Sequence, residues 1–239
     1  STQQRTGHNI LHCEEEEKLN ELSQDELKTL FEYRQKRVKP IMDTKILTDW
    51  TALTAASLAK AGELIEDSAY IEMAEKAWQF IQDKMTHSSY RLYHRYYNEK
   101  VGIEGNLSDY ATVVMCLIHL FEATCKPAYL TEAQSYQKII EDQFYDVKSG
   151  GYFISAHDAE QLIVRQKESY DGALPSSNAI CYYNLVKLGH LTQDKAYSEK
   201  ALNLQKVYST SINRYPVAYT FWNYASLEDQ QPSPLQCKV

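Results

Sequence analysis

Leu58–Ala77 reads LAKAGELIEDSAYIEMAEKA: the end of an apolar helix, a short turn, and a second helix opening on Ala-Tyr-x-x-x-Ala. The pattern returns at Phe121–Gln134 (FEATCKPAYLTEAQ) and at Val186–Leu202 (VKLGHLTQDKAYSEKAL). It sets Tyr70, Tyr129 and Tyr197 at matched positions, with Ala74, Ala133 and Ala201 four residues on. The period is about 60 residues, longer than common solenoid repeats and suited to a helix pair with a long connection. The alanines permit close helix approach and the tyrosines pack against the preceding helix. This recurring helical hairpin decides the fold class.

Start and stop signals extend the pattern to about eight helices. Ser23 with Glu26 reads as a capping box for a helix of about 15 residues. Gly62 and Gly189 read as helix stops. Asp67 or Ser68, Ser108, Ser176 or Ser177, and Thr192 read as N-caps, and Pro127 suits a first turn. Segments near 47–61, 109–124, 178–188 and 215–227 are apolar on most faces. Those near 24–37, 68–85, 128–145 and 193–209 are amphipathic and charged. The alternation is what two concentric layers require, with inner helices touched on all sides and outer helices keeping one wet face. The long connections SSYRLYHRYYNEKVGIEGN (88–106) and DVKSGGYFISAHDAEQLIVRQKESYDGALP (146–175) carry alternating apolar segments, expected to be short hairpins. They gather at the N-terminal ends of the inner helices. The domain plan is an irregular segment 1–22, a helical domain 23–228 and a tail 229–239.

Composition agrees. Apolar residues make up 44% of the 239, Gly (8) and Pro (6) are scarce, and the formal charge is -7. The charge argues against a nucleic-acid or anionic-membrane surface. The longest apolar run, ATVVMCLIHLF (111–121), is too short to span a bilayer and contains His119. No signal-peptide pattern is visible. Cys13, Cys116, Cys125, Cys181 and Cys237 form no C-x-x-C pair. This suits ordinary thiols in a reducing, cytoplasmic setting, with Cys116 and Cys181 in the core.

The repeat aligns Asp49-Trp50, Asp109-Tyr110 and Ser177-Asn178 at inner-helix N-termini, where free N–H groups favour carboxylates and anions. Arg165, Glu168, Asp171, Ser176 and Asn178 arrive at the third entry. Aromatic faces beside carboxylates and amides suit a sugar, whose rings have apolar faces and hydroxyl edges. Each position also has a plain structural reading as a cap, a dipole partner or a turn; recurrence raises the case for the set. Among seven scattered histidines, His94 in RLYHRYY is the best placed for acid–base work, whereas His119 reads as a satisfied core residue. Glu14–Glu17 reads as solvated. The chain has no phosphate-binding Gly-rich loop, H-E-x-x-H or G-x-S-x-G, and neither a metal nor a cofactor is expected.

At TGHNIL (6–11), RVKPIMDTKILTDWTALTAASLAKAG (37–62), LSDYATVVMCLIHLFEAT (107–124), FYDVKSGGYFIS (144–155) and YDGALPSSNAICYYNLVKL (170–188) the chain resembles the C-terminal part of the YyaL family, known in animals as spermatogenesis-associated protein 20. The resemblance implies an alpha/alpha toroid of the six-hairpin type, similar to N-acylglucosamine 2-epimerases, preceded in the family by a thioredoxin-like domain. It implies that this chain is an incomplete toroid, and it carries no established reaction. Asp43, Lys45, Trp50, Asp109, Tyr110, Asp171, Pro175, Ser176 and Asn178 match the family pattern. Thr51 and Ala52 replace the Asn-Gly of a W-N-G-L motif, and Ala179 replaces a serine.

Two readings of function follow. In one, a sugar or sugar phosphate is bound or modified. Asp109, Asp171 and His94 are then the catalytic candidates. Asp49, Trp50, Tyr110, Arg165, Glu168, Ser176 and Asn178 are the binding candidates. In the other, the chain is a non-catalytic scaffold that associates with itself or with the missing N-terminal half.

Overall fold

The computed structural model describes residues 23–160 and 163–230. The segment expected at 1–22, the Glu14–Glu17 run, His8, His12, Cys13, the TGHNIL motif and Cys237 lie outside the described residues. The chain divides between Asp43 and Thr44 into two units. In the first, α1 (Gln24–Gln35) carries the expected capping box: Ser23 Oγ accepts from the Glu26 N–H, and Glu26 Oε2 accepts from the Ser23 N–H at 2.8 Å. The helix is 12 residues long and has no buried residue.

The second unit is the helical array. Its helices are α2 (Thr48–Ile65), α3 (Ser68–Phe80), α4 (Leu107–Thr124), α5 (Pro127–Phe144), α6 (Ser177–Thr192), α7 (Lys195–Arg214) and α8 (Thr220–Gln230). With α1 this makes eight α-helices among the described residues. Helix α8 runs two residues into the stretch expected to be tail. The inner helices pack in series, α2 on α4, α4 on α6 and α6 on α8; α3, α5 and α7 each back onto the inner helix before them. Helices α4 and α6 are buried nearly throughout. Cys116 and Cys181 are buried free thiols in that core, and Ala74, Ala133 and Ala201 are buried where the hairpins close.

The hairpin turns differ from expectation in one respect. Gly62 and Gly189 do not end their helices. Each sits one turn before the end, and the stop is a left-handed residue four positions on: Glu66 (φ 57°) and Gln193 (φ 59°), whose N–H groups bond back to the Gly62 and Gly189 carbonyls. Helix α4 ends the same way at Cys125 (φ 55°). The glycines serve contact instead. A Cβ on Gly62 would lie 2.7 Å from Ile71 Cγ1, and one on Gly189 would lie 2.8 Å from Ser198 Oγ. The next helices are capped by Asp67 and Asp194, with Pro127 at the start of α5; Thr192 belongs to α6.

The first long connection forms the expected hairpin. Strands β3 (Arg91–Tyr97) and β4 (Lys100–Glu104) pair antiparallel across a two-residue turn with Asn98 and Glu99 both left-handed. Two short strands, β1 (Ile46–Leu47) and β2 (Thr86–His87), pair with β3. Among the described residues the second connection holds one bridge, Tyr145 to Tyr152, in place of a hairpin. Its backbone bonds elsewhere: Ile154 O accepts from Leu107 N–H at the start of α4, and His157 N–H donates to Gln143 O in α5. Among the described residues no helix is long and apolar enough to cross a membrane.

Candidate functional site

The β3–β4 hairpin lies at the N-termini of α2 and α4 and is fixed there by polar contacts. Thr48 Oγ1, in the first turn of α2, donates to Tyr93 O at 2.5 Å. The Leu92 N–H donates to Tyr110 Oη at 3.0 Å, and the Gly105 N–H donates to Leu92 O at 2.7 Å. His94 therefore projects from a braced strand.

Helix α4 is capped by Asn106, not Ser108. Asn106 Oδ1 accepts from the Ser108 N–H at 2.8 Å, and Asp109 Oδ2 accepts from the Asn106 N–H at 2.9 Å. Asp109 is thus the acid of a capping box, and it is fully buried (0% exposed). Its carboxylate also faces His94, whose Nδ1 lies 3.0 and 3.1 Å from the two oxygens. The Asp49 N–H donates to Asp109 Oδ1 at 3.1 Å. Asp49 Oδ2 in turn accepts from Ser108 Oγ at 2.9 Å, and Asp49 Oδ1 accepts from the Trp50 N–H at 2.8 Å. One donor atom each from Asp49, His94 and Asp109 lie within 4.8 Å of one another, and each is already engaged by a neighbour.

Burial raises the Asp109 pKa against the pull of His94. The hydrogen bond to Asp109 raises that of His94, with the charges of Asp109 and Asp49 adding and Arg95 opposing. The pair therefore holds its proton to higher pH than a free imidazole would. The His94 side chain is 21% exposed, and among the described residues nothing hydrogen-bonds its Nε2. Trp50, in the first turn of α2, is 59% exposed.

The other candidates lie elsewhere or turn inward. Tyr110 is 1% exposed and packs on Tyr136 and Phe144, so it is a core residue rather than a stacking wall. Asp171 is buried as a clasp between two helices. Its Oδ1 accepts from Ser176 N–H (2.8 Å) and Oγ (3.0 Å), and its Oδ2 accepts from the Phe221 N–H (2.8 Å). A cavity of about 280 Å³ beside it is lined by Leu174, Pro175, Phe221 and Tyr224, among others. Ser176 sits at the N-cap position of α6 without a side-chain cap bond. Asn178 is fully buried and pins the second connection: Oδ1 accepts from the Tyr152 N–H, and Nδ2 donates to the Tyr152 and Glu168 carbonyls. Arg165 donates to the Ser155 carbonyl and lies over the Phe153 ring, 4.1 Å from its centroid. The Glu168 residue is exposed. The structure thus gathers Asp49, Trp50, His94 and Asp109, and assigns Asp171, Ser176, Asn178 and Arg165 contacts within the fold. Asn106 and Ser108 join the first group unforeseen, though N-x-x-D at 106–109 is a capping-box signature.

The layered helices define an alpha/alpha toroid with a histidine–carboxylate pair at the inner-helix N-termini. Cellobiose 2-epimerase from Spirochaeta thermophila aligns with a TM-score of 0.64 at 16% identity, over 80% of this chain and 55% of that one. A D-mannose isomerase aligns at 0.58 and 15%, over 73% and 46%. The family GH76 alpha-mannanase BT2949 of Bacteroides thetaiotaomicron aligns at 0.57 and 17%, over 74% and 46%. At these identities the likeness is one of fold. By sequence, the chain is homologous to part of spermatogenesis-associated protein 20 of Homo sapiens, with 34% identity over 202 residues, 80% of this chain and 26% of that protein. It is 30% identical over 220 residues to the uncharacterized protein B0495.5 of Caenorhabditis elegans, covering 89% of this chain and 29% of the relative. The chain spans about a quarter of the length of these relatives, and the resemblance read from its motifs holds. No family model matches it.

Proposed function

We propose that the rim at Trp50 and His94, backed by Asp109 and Asp49, binds a sugar and moves a proton on it, in the manner of an isomerase or epimerase. The observation that carries this reading is the His94–Asp109 pair. A buried carboxylate holds Nδ1 of a part-exposed imidazole, and among the described residues nothing hydrogen-bonds its Nε2. A general base for removing a proton beside a carbonyl needs such an arrangement: a ring fixed in orientation and an anion to stabilise the imidazolium. Trp50 supplies an exposed aromatic face one residue from Asp49. The solved toroids it resembles are named as sugar epimerases, isomerases and glycoside hydrolases, which supports a sugar as the ligand class.

A glycosidase mechanism is favoured less. It needs two carboxylates that reach the scissile bond. Asp109 is fully buried, and Asp171 is committed to the α6 and α8 backbone.

The test is a panel of aldoses, ketoses and their phosphates, followed by ligand-induced NMR shifts in wild type, H94A and D109N. Binding to wild type that weakens in both variants is expected. Wild type that binds nothing in the panel overturns the reading.

A second reading, a scaffold role, is favoured by the apolar side chains that α2 leaves exposed at Trp50, Leu64 and Ile65. Sedimentation at micromolar concentration tests it: self-association lost on Leu64→Glu supports it, and a monomer throughout counts against it.

A further inference from the structure

This inference rests on the reading of His94 as the proton-transfer residue and concerns what holds it in place. We propose that Asp49 is a positioning residue for His94, acting through Asp109 and Ser108 across the gap between α2 and α4 rather than by touching a ligand.

The contacts form a reciprocal clasp. The backbone N–H of Asp49 reaches from α2 to Asp109 Oδ1, an oxygen that His94 Nδ1 also faces. The hydroxyl of Ser108 lies between Asp49 Oδ2, at 2.9 Å, and the Asn106 Oδ1 of its own helix cap, at 2.7 Å, and shares its one proton between the two helix starts. The remaining Asp49 oxygen is taken by the Trp50 N–H. Both helix N-termini therefore hold each other at the point where Asp109 must stay still. With both oxygens engaged, Asp49 is poorly placed to read a sugar hydroxyl. Its charge has a second use: the charged groups facing His94 are Asp109 from α4, Asp49 from α2 and Arg95 from its own strand, so Asp49 tips the balance toward the imidazolium.

The experiment is an NMR titration of the histidine rings in the full chain, comparing wild type with Asp49→Asn, Asp49→Ala and Ser108→Ala. Asp49→Asn keeps the backbone N–H and one acceptor oxygen for Ser108, and loses the charge together with the second oxygen that accepts from the Trp50 N–H. It is expected to lower the His94 midpoint by about half a unit or more. Asp49→Ala and Ser108→Ala loosen the clasp and are expected to lose the protected Nδ1–H signal as well. His119, on the same α4, reports folding and should not move. An unmoved His94 in all three variants overturns the proposal. A shift in Asp49→Asn with neither clasp variant affecting Nδ1–H also overturns it, reducing Asp49 to a distant charge. No sugar enters the measurement, so a failure of the sugar reading would appear separately, as wild type without a ligand.

Discussion

A histidine–carboxylate pair stands at each end of helix α4, one reaching in from β3 and one within the helix, with nearly the same Nδ1–oxygen distance. At its N-terminus, His94 Nδ1 lies 3.0 Å from Asp109. Near its C-terminus, His119 Nδ1 lies 3.1 Å from Glu122. The difference lies in what closes them. Glu122 also meets Lys187 Nζ of α6 at 2.5 Å, and Lys187 lies 3.7 Å from Glu228 of α8. His119 Nε2 meets Tyr183 Oη at 3.3 Å, so both ring nitrogens are engaged, and the side chain is 5% exposed. Among the described residues the rim pair has no such lysine bond, and its Nε2 makes no hydrogen bond. One pair is sealed between three inner helices; the other can exchange a proton with whatever approaches. The same two side chains are structural in one surrounding and available for chemistry in the other.

The largest break in this comparison should come from Lys187→Met. It removes the lysine from a buried ion pair, a change that costs about 3–5 kcal/mol, with His119 still bonded to Glu122. Chemical denaturation should show this loss, whereas His94→Ala should cost far less. A Lys187→Met protein as stable as wild type would mean that the inner cluster is not a closed ion network.

Acid comes next. Burial raises the Glu122 pKa, but the His119 hydrogen bond and the Lys187 charge outweigh it and pull the group from 4.5 to about 2. Its stabilisation is therefore complete above pH 4.5 and is lost as the pH falls toward 2. A shift of that size is worth about 3 kcal/mol by linkage. Unfolding free energy measured across this window should fall in wild type and fall less in Glu122→Gln. The rim behaves in the opposite sense. His94 has a raised pKa, so its contribution is present below its ordinary 6.5 and fades as the pH rises through the folded value.

Asp109→Asn sharpens the contrast. Asp109 is fully buried and accepts from the Asn106 and Asp49 N–H groups; asparagine keeps only one of the two acceptor oxygens, so the change should cost about 1–3 kcal/mol. It should still lower the His94 titration midpoint and weaken any sugar binding. A large stability loss with His94 unmoved would make the rim pair structural, like its counterpart. The smallest effect on folding belongs to Trp50→Ala, expected within about 0.5 kcal/mol of wild type for an exposed side chain. Any sugar affinity should nevertheless drop several-fold.

The hairpin repeat made the layers legible because apolar periodicity and small residues report directly on burial. Alanines 74, 133 and 201 lie in the packed interior as the pattern required. The site was legible in part. His94 and Asp109 were singled out because long loops and helix N-termini meet there, but their pairing depends on the strand register, which sequence spacing does not reveal. Asp171 and Asn178 looked equally polar in the chain. Their partners are backbone groups of α6, α8 and the second connection, which a one-dimensional reading cannot rank against a ligand. His119 is the satisfied core residue that its apolar helix implies, but its link to Glu122 and Lys187 depends on helix packing that spacing does not reveal. Charges at such positions, on helices read as buried all round, were the available signal.

The turns that join the inner and outer layers separate two properties that usually travel together. In Leu58–Ala77 the glycine governs how near two helices lie, while the reversal of the chain falls to Glu66, a side chain in a backbone region that glycine occupies without penalty. Spacing and reversal can therefore be engineered independently. Glycine at 66 or 193 would relax the bend and leave the packing distance alone, whereas alanine at 62 would press on the Asp67 carbonyl and wedge the hairpin open, and alanine at 189 would displace the Ser198 hydroxyl. Stiffer or looser versions of this protein can thus be made on the side of the molecule away from the rim.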